Sequence, residues 1–192
     1  MRWLAPLLAP LWVPLLLAAC GSLATTYYTL TPVPSAQSAS SGPALKPPIE
    51  VGQVSLPAII DRDAIVVAGG GGRLDISSES VWGAPLGEIV RRALFADLTA
   101  RLPRGSVLPP GDAGPRGGPR TLTLNVQQFG GDTSGRVVLQ TDWTLTREGG
   151  RAPPPHRVSI EINAGSGKPA AIVPAMSRAL GELADRIAAT IR

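Results

Sequence analysis

Three runs between Thr121 and Asn163 constrain this chain more than anything else in it. Leu122, Leu124 and Val126 alternate with Thr121, Thr123 and Asn125. Val137, Leu139, Thr141, Trp143 and Leu145 recur at every second position of 136–147, and Val158, Ile160 and Ile162 do the same in 157–163. Successive side chains of a strand point to opposite faces, so each apolar set lies on one face of a sheet. A slip of one residue would turn the whole set into solvent. Residues 130–135 and 148–155 supply the turns. The three runs predict a half-buried antiparallel meander whose apolar face needs a cover.

Two segments with helical spacing provide that cover. Pro85–Leu102 repeats Leu86, Ile89, Val90, Ala93, Leu94, Leu98 and Leu102 on one side. Pro85 suits the first turn and Pro103 ends the helix. A second helix starts between Ala170 and Pro174 and runs to the C-terminus. Its stripe is Val173, Met176, Leu180, Leu183, Ala184, Ile187 and Ile191. Upstream, Thr26–Leu30 and Ile49–Leu56 read as strands, and Val107-Leu108 as a short one. Ala64–Ala68 and Arg73–Ile76 make a hairpin across the glycine run 69–72. The order predicts an α+β domain: a mixed or antiparallel sheet of about six to seven strands with two amphipathic helices packed on one face. Residues 31–48, rich in Pro, Ser, Ala and Gly, read as a mobile loop or linker within a domain spanning 26–192.

Cys20, the only cysteine in the chain, closes a short apolar N-terminal run as Leu-Leu-Leu-Ala-Ala-Cys-Gly. Arg2 is a minimal positive n-region, positions 3–17 carry no charge, and Ala18-Ala19 are the small residues a signal peptidase needs. The run is short for a transmembrane helix, which needs about 20 apolar residues, and Pro6, Pro10 and Pro14 weaken it further. The expectation is a lipoprotein signal peptide over 1–19. Cys20 would become the first mature residue, carrying covalent diacylglycerol and an N-acyl chain, with 20–25 as a lipidated tether. Several acyl chains give stable anchoring where one gives only marginal binding. Gly21 follows the cysteine; its likeness to proteobacterial lipoproteins in general, where Asp at this place favours the inner membrane, makes it an outer-membrane sorting residue. With a single cysteine there is no intrachain disulfide and no Cys-based metal site.

Conventional chemistry is poorly supported. The formal net charge of +4 is spread over scattered arginines with no basic stripe, which argues against a nucleic-acid partner. Arg91-Arg92 reads as part of a solvated helix face. His156 is the only histidine and reads as a solvent-exposed residue in a Pro-rich loop, with no Gly-x-Ser-x-Gly elbow to supply a serine nucleophile. Gly165–Pro169 resembles a fragment of a phosphate loop, but Ile162 stands where a glycine is required and Pro169 where Ser or Thr is required. Asp61 and Asp63 lack a third ligand for a cation. No catalytic residue, metal site or noncovalent cofactor is expected. Trp143 is expected in the core, and Trp82 against the first turn of the first helix.

Several segments together carry a family resemblance. They are Tyr27-Tyr28-Thr29-Leu30 soon after Cys20, then Ile49–Pro57 followed by Asp61-Arg62 and Ile65-Val66. Next come Trp82-Gly83-Ala84-Pro85-Leu86 before Arg91-Arg92-Ala93-Leu94, and a meander with Trp143. Met176-Ser177-Arg178-Ala179-Leu180 lies in the terminal helix. In this order the chain resembles the ABC-type transport auxiliary lipoprotein family of PqiC-like, MCE-associated proteins. The resemblance implies an outer-membrane, periplasm-facing lipoprotein acting as a non-enzymatic docking or conduit component of intermembrane lipid transport. It implies an MCE-domain protein with its ABC permease and ATPase as partners, phospholipid as a candidate ligand, and a homo-oligomeric ring as a candidate assembly. Two other readings stay open: a periplasmic lipid-binding lipoprotein, and an envelope scaffold lipoprotein not tied to transport.

Overall fold

The structure is a computed structural model and describes residues 24–35, 42–112, 114–151 and 153–191. Its strands are β1 (Thr26–Tyr28), β2 (Ile49–Ser55), β3 (Ala64–Ala68), β4 (Leu74–Trp82), β5 (Val107–Leu108), β6 (Arg120–Asp132), β7 (Arg136–Arg147) and β8 (His156–Asn163). The helices are α1 (Leu86–Arg101) and α2 (Pro169–Ile191). All eight strands join one mixed sheet, so the α+β expectation holds with one more strand than the upper bound.

The meander forms the spine. β6, β7 and β8 pair antiparallel, with Leu124 opposite Trp143 and Leu139 opposite Ile160. The other edge of β6 is shared. Its first half pairs parallel with β2 (Val51 opposite Leu122) and its last residues pair parallel with β3 (Val67 opposite Gly131). Parallel partners require long crossovers, and α1 lies in the one between β3–β4 and β5–β6. At the two ends of the sheet's far side, β5 pairs with β2, and β4 with β3 and β1.

Alternation places Leu122, Leu124, Val126, Val137, Leu139 and Trp143 under the helices, all buried. Packed against them are Leu94 and Leu98 of α1 and Leu180, Leu183 and Ile187 of α2. Each such side chain contributes about 1.5–3 kcal/mol on burial. α1 packs on β2 and on α2, and α2 on β6, β7 and β8.

Several boundaries differ from expectation for physical reasons. β6 continues through Gly130 and Gly131, which read as a turn. A Cβ on Gly131 would lie 2.8 Å from Ile172 Cγ1, so this glycine permits close approach of α2 rather than reversing the chain. β4 runs on to Trp82 because its polar second half finds β1, with Thr26 opposite Ser80 and Tyr28 opposite Trp82. Trp82 therefore ends a strand; it is buried beside Leu86 at the start of α1. α2 begins at Pro169, where a first-turn proline needs no amide hydrogen, and it runs through Pro174. The glycine run makes the expected hairpin turn, with Gly71 and Gly72 at φ 68° and 80°.

The segment 31–48, expected as a mobile loop or linker, is fastened at both ends. Thr31 and Val33 bond to α2 and α1 side chains, and the Leu45 amide donates to Ser106 Oγ at 2.9 Å. The Arg120 amide donates to the Pro48 carbonyl at 2.8 Å.

Candidate functional site

Two features stand out: a strap that follows the proposed anchor, and the sheet face that the helices leave open. Cys20, Gly21 and residues 1–19, expected as a signal peptide, lie outside the described residues.

The strap is 30–35. Leu30 enters the core, and the chain then crosses the seam between α1 and α2. The Thr31 amide donates to Ser177 Oγ at 3.2 Å, and the Val33 amide to Asp97 Oδ1 at 2.8 Å. Arg101 Nη1 donates back to the Val33 carbonyl at 3.1 Å. The same guanidinium donates to Asp97 Oδ1 at 3.2 Å and, through Nε, to Asp185 Oδ1 at 2.7 Å. Ser35 Oγ reaches the Asp185 carboxylate at 3.4 Å.

Asp97 is 1% exposed and Arg101 2%. Burial pushes the Asp97 carboxyl above its ordinary value, opposed by the Val33 amide and by Arg101, and its Oδ2 has no hydrogen-bond partner among the described residues. A buried carboxylate is tolerable only when paired, so Arg101 and the strap backbone hold one another in place. Gly181 makes the crossing close: a Cβ there would sit 2.9 Å from Val33 Cβ. These charges escaped sequence reasoning. The available signal was Asp97 and Arg101, four residues apart among Ala93, Leu94 and Leu98 on the apolar stripe of α1.

On the open face, Ile76 lies opposite Val66 and Leu74 opposite Ala68, pointing away from the helices that bury Ile65 and Val67. Tyr27, opposite Val81, joins this face and is 72% exposed. With Ile59 these are the exposed large apolar side chains among the described residues. Between Ile59, Ile60, Val66, Leu74 and Val138 lies a groove of about 210 Å³.

The residues weighed for chemistry are dispersed. His156, expected in the Pro-rich loop, instead opens β8, because it pairs opposite Trp143 and stacks on it, ring centroids 4.2 Å apart and 16° from parallel. Asp61 and Asp63 are exposed in the turn before β3, and the Asp63 carbonyl accepts from the Trp82 amide at 2.7 Å. Gly165–Lys168 is the turn into α2 and packs on Thr133 and Gly135. Arg91 and Arg92 pair with Glu88 on the outer side of α1. Among the described residues no three of His, Cys, Asp and Glu gather as a metal site, and no helix is long and apolar enough to cross a membrane.

Comparison with known proteins agrees with this architecture. The chain is similar to the intermembrane transport lipoprotein PqiC of Escherichia coli (strain K12), 30% identical over 153 residues that cover 77% of this chain and 75% of the relative. The PqiC of Shigella flexneri matches equally. A solved structure of an uncharacterized protein superposes with a TM-score of 0.70 at 20% identity, covering 88% of this chain and 99% of that one. A Xanthomonas campestris protein superposes with a TM-score of 0.66 at 18% identity, covering 86% and 95%. These two likenesses show the fold. The family described as the ABC-type transport auxiliary lipoprotein component matches residues 28–188, from β1 to the last turns of α2, and the chain belongs to that family.

Proposed function

We propose that this auxiliary lipoprotein is a non-enzymatic docking or conduit component of an MCE-type ABC intermembrane lipid transport system. In this reading Cys20 carries the lipid anchor, Gly21 directs the protein to the outer membrane, and the domain faces the periplasm. The partners are an MCE-domain protein with its ABC permease and ATPase. Copies of the chain assemble into a ring around the path.

The observation that carries the reading is the short path from anchor to fold. β1 starts at Thr26, so only residues 21–25 separate Cys20 from a paired strand. Five extended residues reach about 17 Å. The strap then ties the following residues to both helices. An anchor coupled this closely holds the domain near the bilayer in a restricted orientation, as docking needs. The exposed apolar face begins at Tyr27, so surface suited to partner contact lies beside the anchor. A lipid carried between sheet and helices, the rival reading, has little room: the gap beside Ile65, Trp82, Leu86 and Met176 is about 10 Å³.

The test is affinity purification of the full-length lipoprotein from detergent-solubilised membranes. Enrichment of an MCE-domain protein, lost on Cys20→Ala, is expected. Capture of no MCE-domain protein by the anchored wild type overturns the reading.

A further inference from the structure

Arg120 and Arg147 face each other directly across the β6–β7 ladder, on the same side of the sheet. Like charges placed opposite one another destabilise an antiparallel pair. Partial burial, with Arg147 adding to it, lowers the Arg120 pKa. Arg120 Nε is turned to the Pro47 carbonyl at 3.2 Å, which fixes that side chain beside the segment 44–48.

That segment forms one wall of a groove of about 580 Å³, within the range of small-molecule sites. Lys46, Arg116 and Arg147 line it together with Leu45, Pro47 and Pro115. None of these three cations, nor Arg120, makes an ion pair with a carboxylate among the described residues. Outside the groove Arg73, Arg91, Arg92, Arg101, Arg136, Arg157 and Arg186 each have an acidic partner. Arg62, Arg104, Arg151 and Arg178 also have none among the described residues, so the groove stands out by gathering its unpaired cations in one place. Glu148, at the rim beside Gly118, joins none of the four cations.

We propose that this groove is a binding site for a phosphate group, with Lys46, Arg116 and Arg147 as its ligands and Arg120 as a positioning residue that holds 44–48 in place. Guanidinium forks match phosphate oxygens with charge-assisted hydrogen bonds. A bound phosphate also removes the cost of opposing Arg120 to Arg147. The apolar wall of Leu45, Pro47 and Pro115 suits the first carbons of a lipid carrying that phosphate. Free phosphate and a phospholipid headgroup share this chemistry. The site stands whether or not the transport reading does.

The test titrates the full-length lipoprotein in a neutral detergent with inorganic phosphate and, separately, with dihexanoyl phosphatidic acid. Binding in the wild type should weaken about tenfold or more in Arg147→Gln and in Lys46→Gln, the effect of losing one charge-assisted contact. Arg73→Gln, which removes a cation from the β3–β4 hairpin, should leave it unchanged. Phosphate should raise the wild-type Tm, and the same phosphate concentration should raise that of Arg147→Gln by clearly less. Lys46→Gln lies outside the sheet ladder and reports on binding even if Arg147→Gln folds poorly. Equal affinity for the two probes assigns the site to phosphate itself; tighter binding of the lipid assigns it to a headgroup. Absence of wild-type binding to both probes overturns the proposal, as does equal binding by wild type and both groove variants, or an equal loss in Arg73→Gln.

Discussion

Arg101 Nε donates to Asp185 Oδ1 at 2.7 Å and so joins the end of α1 to α2 where the strap crosses them. The Arg101 side chain is 1% exposed and that of Asp185 44%, so a wet carboxylate closes a buried network from outside. Replacing Arg101 by Met would leave the Asp97 charge buried without a cation. Such losses cost about 3–5 kcal/mol. Urea unfolding of Arg101→Met should show that loss, and adding Asp97→Leu should recover a large part of it. A loss under about 1 kcal/mol would mean that the network does not hold the helices.

Gly181 tests the strap separately. Its missing Cβ would meet the branched carbon of Val33, which cannot swing away without moving backbone. Gly181→Leu should lift 30–35 off the helices while α2 itself gains helix propensity, about 1 kcal/mol relative to glycine. Proteinase K should then cut within 31–48 much faster than in wild type, and the cut domain should leave the membrane. A wild-type rate of cutting would show that the strap tolerates the side chain.

Acid sensitivity should come from Asp132. Its carboxylate accepts from the Ser134 hydroxyl and the Ser134 and Arg136 amides, and these bonds lower its pKa from 3.8 to about 2. A depressed folded-state pKa gives stability that is present above pH 3.8 and lost as the pH falls towards about 2. Asp132→Asn should flatten that part of the stability–pH curve. Asp97 has the opposite sign. Its pKa is raised by burial, so its contribution falls as pH climbs from 3.8 through the raised value, and Asp97→Asn should remove that decline. Unchanged slopes in chemical unfolding across these pH ranges would refute both assignments.

Trp143 is buried with its indole Nε1 unpartnered among the described residues and one face stacked on His156. Trp143→Phe removes the orphaned donor along with some area, so the two effects offset and stability should change by less than about 1.5 kcal/mol. His156→Ala should cost about 0.5–1.5 kcal/mol, the value of an aromatic pair. Thermal unfolding of both variants checks this; a larger loss in Trp143→Phe would reveal a hydrogen bond to the indole.

The sequence by itself determined which faces are apolar, that β6, β7 and β8 form a meander, and that two helices cover it. Each of these follows from periodicity within one segment, which local backbone geometry sets at two for a strand and 3.6 for a helix. Membership of a lipoprotein family was legible too, because it rests on the order of short segments. Tertiary structure alone decided that β6 divides one edge between β2 and β3, that a serine-rich stretch becomes the second half of β4, and that a Pro-rich segment is tied down at both ends. It also decided both charged sites. Asp97 and Arg101 acquire their meaning only when Val33 arrives from 64 and 68 positions away and Asp185 from 84. Arg120 and Arg147 oppose one another only once the β6–β7 register is set. Pairing between distant segments is a non-local choice, made by the free energy of the assembled core, and no pattern inside either segment encodes it.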